Sequence, residues 1–177
     1  MKTIEIIGYQ RANLGKKASA DLRAEGNIPC VLYGKDQQVH FYTPTILFRE
    51  LLYTPNVYQV DINIEGVMYK GIVQEAQFHP VNEMLLHVDF LILDEAKPVK
   101  MSLPIRLTGT AMGQTKGGKL VQKLSRLTVK ALPGDMPDFI PVDVTELDLG
   151  KNVRVGEIIP EKYTVLNADS QPIAVVE

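Results

Sequence analysis

His87 and Asp89 stand two residues apart in LHVDF (86–90). In an extended strand that spacing puts both side chains on one face. Leu86, Val88, Phe90 and Ile92 alternate with His87, Asp89 and Leu91, the period of a half-buried strand with the pair on its solvent side. A carboxylate so placed holds the imidazole in one tautomer and can itself accept from base or ribose donors. A surface His–Asp pair of little consequence would look the same. A second group lies in Gly15–Glu25, which reads as a short helix. At about 100° per residue, Leu14, Ala18 and Leu22 fall on one stripe and Lys16, Ser19 and Arg23 on the opposite one. Such a helix buries one face and offers cations and a hydroxyl on the other, which suits a phosphate backbone. Ordinary solvated helices also turn charge outward.

The remaining chemistry is thin. GQTKGGKL (113–120) imitates a phosphate-binding loop, but Leu120 stands where a Mg²⁺-binding Ser or Thr is required. Its flanks read as a β-hairpin rather than strand-then-helix, so a basic hairpin or a plain turn is the better reading. Ser19, Ser102, Ser125 and Ser170 stand in no nucleophile-elbow pattern. Cys30 sits in an apolar strand, where a buried inert thiol is expected. His40, His79 and His87 have no Cys partners at metal-ligand spacing, and His79, before Pro80, reads as a turn former. No catalytic residue, metal site or cofactor is expected.

These residues ride on a chain dominated by strand patterns. KTIEIIGYQ (2–10) opens as a strand with Ile4 and Ile6 on one face; the helix near Lys16–Glu25 follows, then a strand at Pro29–Tyr33 ending at Gly34. TPTILFRELLYTP predicts a second helix over Thr45–Tyr53, with Thr45 as N-cap and Pro55 as stop. A hairpin is predicted to turn at Glu65–Gly66, and His79–Met84 reads as a loop before the strand carrying His87. DEAKP (94–98) suggests a boundary. Beyond it lie strands at Val99–Leu107, Leu120–Val121, Leu127–Ala131, Ile140–Val144 and Val153–Val155, and the closing PIAVVE. The expected architecture is mainly β: an N-terminal closed barrel with two helices (1–95), then a C-terminal antiparallel β domain (96–177).

Composition limits the classes without choosing among them. A chain of 177 residues with 45% hydrophobic content holds one domain or two small ones. The single cysteine excludes an internal disulfide and fits a reducing cytoplasm. Glu5 and Arg11 interrupt the start, so no signal peptide is expected, and no apolar run is long enough to span a membrane. A net charge of −2 is unusual for a binder of nucleic acid. The charge is unevenly spread, however. Residues 96–134 carry Lys97, Lys100, Arg106, Lys116, Lys119, Lys123, Arg126 and Lys130 and no acid, whereas residues 135–177 are rich in acids. Such asymmetry can orient a protein on RNA, although a mixed soluble surface would look similar.

Several segments resemble the bacterial large-subunit ribosomal protein L-twenty-five family in its long form, general stress protein CTC. They are Arg11, the Gly15–Lys16 pair, LRAEG (22–26), IPCVLYG (28–34), QEAQFHP (74–80) and LHVDF (86–90). LPIRLTGTAMGQTKGGKL (103–120) and LPGDMPDFIPVDVTELDLG (132–150) resemble the long form's extra domain. The resemblance runs through nearly the whole chain in family order. It implies a cytoplasmic, ribosome-associated protein that binds 5S ribosomal RNA in the large subunit, with the C-terminal domain touching neighbouring ribosomal components or bracing the first domain. The free protein is expected to be monomeric.

By that resemblance Arg11 meets an RNA backbone or guanine edge, for which its planar two-donor fork is suited. Lys16, Ser19 and Arg23 form the helix's RNA face, Lys16 and Arg23 holding phosphates. Tyr33 stacks on ribose or donates its hydroxyl, and His87 and Asp89 reach into the minor groove. Ala20 and Asp21 depart from the family's more basic helix, which should weaken affinity more than alter mode. Alternatives from other classes are a protein-binding stress-response adaptor without RNA affinity and a barrel that prefers tRNA.

Overall fold

The computed structural model describes residues 2–160 and 162–177 and divides into two compact units, Met1–Asp94 and Glu95–Glu177.

The first unit contains β1 (Lys2–Gln10), α1 (Lys16–Ala24), β2 (Asn27–Gly34), β3 (Gln37–Pro44), α2 (Phe48–Leu52), β4 (Tyr58–Ile64), β5 (Val67–Phe78) and β6 (Leu85–Ile92). Its six strands close in the order β1-β3-β2-β6-β5-β4. Strict alternation drives the closure. In β4, Tyr58, Val60, Ile62 and Ile64 are all buried while the residues between them are half-exposed. The inward residues of every strand share one core with Phe41, Phe48 and Phe90, whose rings lie 5.8 Å (Phe41–Phe90) and 6.4 Å (Phe48–Phe90) apart. Each such side chain contributes about 1.5–3 kcal/mol when fully buried. Closeness demands a glycine at one point: a Cβ on Gly8 would stand 2.5 Å from Phe41.

The expected barrel, two helices and hairpin are present, the hairpin turning at Glu65–Gly66 with positive φ at both residues. The second helix is shorter than expected. Thr45–Leu47 form a 3₁₀ turn before α2, and Thr45 is not an α-helical N-cap; its hydroxyl donates instead to the Gly26 carbonyl at 2.7 Å. Helix α1 also differs from the amphipathic reading. Leu14 is 59% exposed, and no residue of α1 is fully buried. Ala18, Ser19, Leu22 and Arg23 are the half-buried set, so Ser19 and Arg23 belong to the inner face, and of the three residues read as outward only Lys16 is exposed. Both make inward hydrogen bonds that a hydrophobic periodicity cannot register.

The second unit contains β7 (Val99–Thr108), α3 (Met112–Thr115), β8 (Leu120–Gln122), β9 (Arg126–Ala131), β10 (Ile140–Asp143), β11 (Asn152–Arg154), β12 (Thr164–Val165) and β13 (Pro172–Val176). They form a four-stranded sheet, β10-β7-β9-β12, and a three-stranded one, β11-β13-β8. Val99, Met101, Leu103 and Ile105 of β7 are buried, as are Leu127, Val129 and Ala131 of β9. This is the expected C-terminal β domain, with one pairing of the other sense: β10 runs parallel to β7.

The glycine-rich stretch 113–120 is not a hairpin. It is α3 and a tight turn into β8. A Cβ at Gly113 would come within 2.7 Å of Val176 and 2.8 Å of the Leu149 nitrogen, and one at Gly118 within 2.6 Å of Val176. The glycines let backbone pack against Val176 and Leu149, which accounts for them without a phosphate.

Candidate nucleic-acid interface

Strand register builds the outer surface of the barrel from residues far apart in sequence. Parallel pairing of β2 with β6 sets Val31 beside Asp89, while β3 sets His40 on the other side of Val31 and β5 sets Glu75 on the other side of Asp89. His40, Val31, Asp89 and Glu75 therefore form one row across four strands. Gln77 lies opposite His87 in the adjoining row.

On this surface His87 Nδ1 lies 2.6 Å from Asp89 Oδ1, and both side chains are about one-quarter exposed. The carboxylate accepts from Nδ1–H, leaving Nε2 as the ring's other hydrogen-bonding atom. Partial burial makes the pair more rigid than two solvated side chains and leaves it reachable. Tyr33 joins the same surface. Desolvation, and then the charges of Asp89 and Glu75, raise its phenol above the ordinary tyrosine value, so it stays an O–H donor at neutral pH.

Helix α1 is tied to this surface at two places. Arg23 Nε donates to the carbonyl of Leu86 at 2.9 Å, immediately before His87. Arg11 follows β1, its backbone N–H bonded to the His40 carbonyl at 3.0 Å. Its guanidinium reaches Ser19 Oγ at 3.0 Å and the Asn13 carbonyl at 3.3 Å, while its Nε is buried with no partner. Ser19 in turn donates to the Gly15 carbonyl at 2.9 Å. Ser19 thus spends its hydroxyl hydrogen within the protein; it braces Arg11 rather than standing out as a phosphate donor.

All seven sequence-derived residues lie in the first unit. His87, Asp89 and Tyr33 share the barrel's outer surface; Arg11, Ser19 and Arg23 link α1 to it; and Lys16 is exposed at the helix start. Three features escaped sequence reasoning. Tyr9 and Tyr42 stack at 5.5 Å on neighbouring strands, a ring pair set by the β1–β3 register. His40, Glu75 and Gln77 reach the surface only through long-range pairing. The start of α1 has no side-chain cap and no acid in its first turn, so its N–H groups and dipole are open to an anion. The Gly15-Lys16-Lys17 run was the available signal for that.

Beneath the surface, Cys30 is buried. Desolvation, reinforced by the nearby Asp89 charge, pushes its thiol far above the ordinary range, the expected inert state. His79 accepts from the backbone N–H groups of Val81 and Asn82 at 3.3 and 3.4 Å and so shapes its turn. Among the described residues no cluster of His, Cys, Asp and Glu could hold a metal ion, and no helix is long and apolar enough to cross a membrane.

Comparison with known proteins follows the same division. Residues 6–90 match the ribosomal L25p family, and residues 98–177 match the C-terminal domain of ribosomal protein TL5. The large ribosomal subunit protein bL25 of Cytophaga hutchinsonii is 57% identical over 176 residues, covering 99% of this chain and 92% of the relative. The bL25 proteins of Amoebophilus asiaticus and Phocaeicola vulgatus are 55% and 46% identical, each across the full length of this chain and at least 90% of their own. Relatives at this level and coverage share one fold and one family of structural, non-enzymatic proteins. The chain belongs to the bL25 family of large ribosomal subunit proteins.

Proposed function

We propose that this protein is a structural, ribosome-associated component of the cytoplasmic large subunit, and that its first unit docks on 5S ribosomal RNA. One observation carries the finer reading: the partly buried His87–Asp89 pair on the barrel, joined through the Arg23–Leu86 bond to a helix with an open cationic start. The wide, shallow minor groove of an RNA duplex presents 2′-hydroxyls and base edges to such a pair. Asp89 accepts from hydroxyl or amino donors, and His87 Nε2 meets their neighbours. Lys16 and the N–H groups at the start of α1 hold phosphates. Arg11, braced by Ser19, orients its fork toward backbone or a guanine edge. Tyr33 donates its hydroxyl or stacks on ribose. The second unit (96–177 on the sequence reading) contacts neighbouring ribosomal components.

The test is a titration of labelled 5S ribosomal RNA at about 0.15 M salt with tRNA as competitor. Tight binding that tRNA does not displace, weakened by Arg11→Ala, His87→Ala and Asp89→Ala, is the expected result. Equal, weak binding of both RNAs that ignores all three changes would defeat the reading and direct attention to a protein partner.

A further inference from the structure

In the basic run of residues 96–134, two lysines are paired with carboxylates. Lys116 reaches both carboxylate oxygens of Asp148 at 2.8 Å, and Lys123 reaches Glu177 at 2.7 Å. The β7–β9 ladder is different. Its register sets Lys100 directly opposite Lys130, Ser102 opposite Thr128 and Pro104 opposite Arg126. Lys100, Ser102, Thr128 and Lys130 are all exposed, on the face away from Met101, Leu103, Leu127 and Val129. Directly opposed Cβ atoms stand about 4.5–5.5 Å apart, and like charges there are destabilising.

Nothing on the neighbouring strands offsets this. β7, β9 and β12 contain no acid, and Lys130's other neighbour is Thr164. On β10 the sole acid, Asp143, already accepts from the backbone N–H and hydroxyl of Thr145. Arg106, further along β7, lies with its guanidinium 4.2 Å from the centre of the Phe139 ring, held at the surface by an aromatic face instead of a carboxylate.

We propose that the exposed face of the β7–β9 ladder is a second RNA-binding surface, which takes the phosphate backbone across the Lys100–Lys130 pair and the Ser102–Thr128 pair. A cross-strand Lys–Lys pair that weakens the folded unit is relieved when a phosphate lies between the two ammonium groups. Strand geometry puts the hydroxyl pair about 7 Å further along, since each residue advances roughly 3.4 Å, and there it donates to phosphate oxygens. The contacts are to backbone, so binding is insensitive to sequence. The ribosomal reading bears only on the choice of polyanion; the first unit's site plays no part.

The full-length chain carrying R11A and H87A, which weakens binding through the first unit, is titrated with a mixed-sequence RNA duplex from 50 to 200 mM salt. K130E is then added in one protein and K100Q/K130Q in another. Each should lower the slope of log affinity against log salt by about one unit, the contribution of the single phosphate held between the two ammonium groups. K130E should also raise the melting temperature of the second unit, because it turns a repulsive pair into an attractive one. Absence of duplex binding by the R11A/H87A protein, or a slope and affinity unchanged by both additions, would overturn the proposal. So would displacement of the duplex by charge-matched poly-glutamate as effective as that by RNA, which would mark the face as a site for an acidic protein.

Discussion

The two units handle exposed polar groups in opposite ways. The first closes its sheet, so every strand has two neighbours, and gathers its aromatic residues Phe41, Phe48 and Phe90 into one core. The second leaves two open sheets, with edges at β10, β12, β11 and β8, and ties surfaces together with ion pairs such as Lys116–Asp148 and Lys123–Glu177. Closure makes a rigid surface on which one register fixes four strands' worth of side chains, as the proposed readout of RNA edges requires. An open sheet can carry a charge pattern but holds it less firmly. The closed unit is built for shape and the open one for charge.

That contrast breaks most readily in the barrel core. Phe90→Ala should cost about 3–5 kcal/mol and lower the first unit's melting transition, leaving the second unit's transition in place by calorimetry. A single merged transition for wild type and variant alike would show the units to be cooperative. Gly113→Ala should act on the other unit, costing about 1–3 kcal/mol as its Cβ meets Val176 and the Leu149 backbone. Unchanged thermal stability would refute the close-packing account of the glycine-rich stretch.

Response to pH should separate the units in direction. Asp143, Asp148 and Glu177 are held below the ordinary carboxylate range, chiefly by hydrogen bonds from Thr145, Lys116 and Lys123 respectively. Groups lowered on folding contribute stability above their unfolded values, about 4, and lose it as pH falls through the folded ones. The second unit should therefore weaken in acid, and Asp148→Asn should flatten the trend in melting temperature against pH. Cys30 is raised on folding, so its contribution is complete below the free-thiol value of about 8.5 and is lost as pH climbs beyond it. Weakening of the first unit between about pH 8.5 and 10, below the range in which Tyr33 contributes, should shrink in Cys30→Ala; a melting curve there indifferent to that change would contradict the buried, protonated thiol.

Local rules carried most of the barrel. Period-two alternation marked β1 and β6, the Glu65–Gly66 turn marked the β4–β5 hairpin, and the LHVDF spacing placed His87 and Asp89 together. Misreadings arose where a distant partner decided the outcome. Arg23 turns inward because its acceptor is Leu86, 63 residues away, and Ser19 because Arg11 needs an acceptor. Polar residues with inward hydrogen bonds and polar residues in solvent contribute alike to a hydrophobic stripe. The parallel β10–β7 pair and the two-residue strand β12 are set by tertiary pairing and leave no local trace. The Tyr9–Tyr42 stack, 33 positions apart, belongs to the same class.

The order in which the barrel closes has a kinetic consequence. β1 pairs with β4 in parallel from Lys2–Tyr58 to Gly8–Ile64, but β2 and β5 acquire their remaining neighbour only when β6 is present. At elongation rates of about 5–20 residues per second, the stretch from Ile64 to Ile92 takes about 1–6 s to emerge. During that interval a nascent chain holds two unsatisfied strand edges and a half-formed aromatic core, the state most open to mispairing with another chain. Arrival of the strand bearing His87 and Asp89 ends that exposure, so the segment proposed as the recognition element is also the last stave of the barrel.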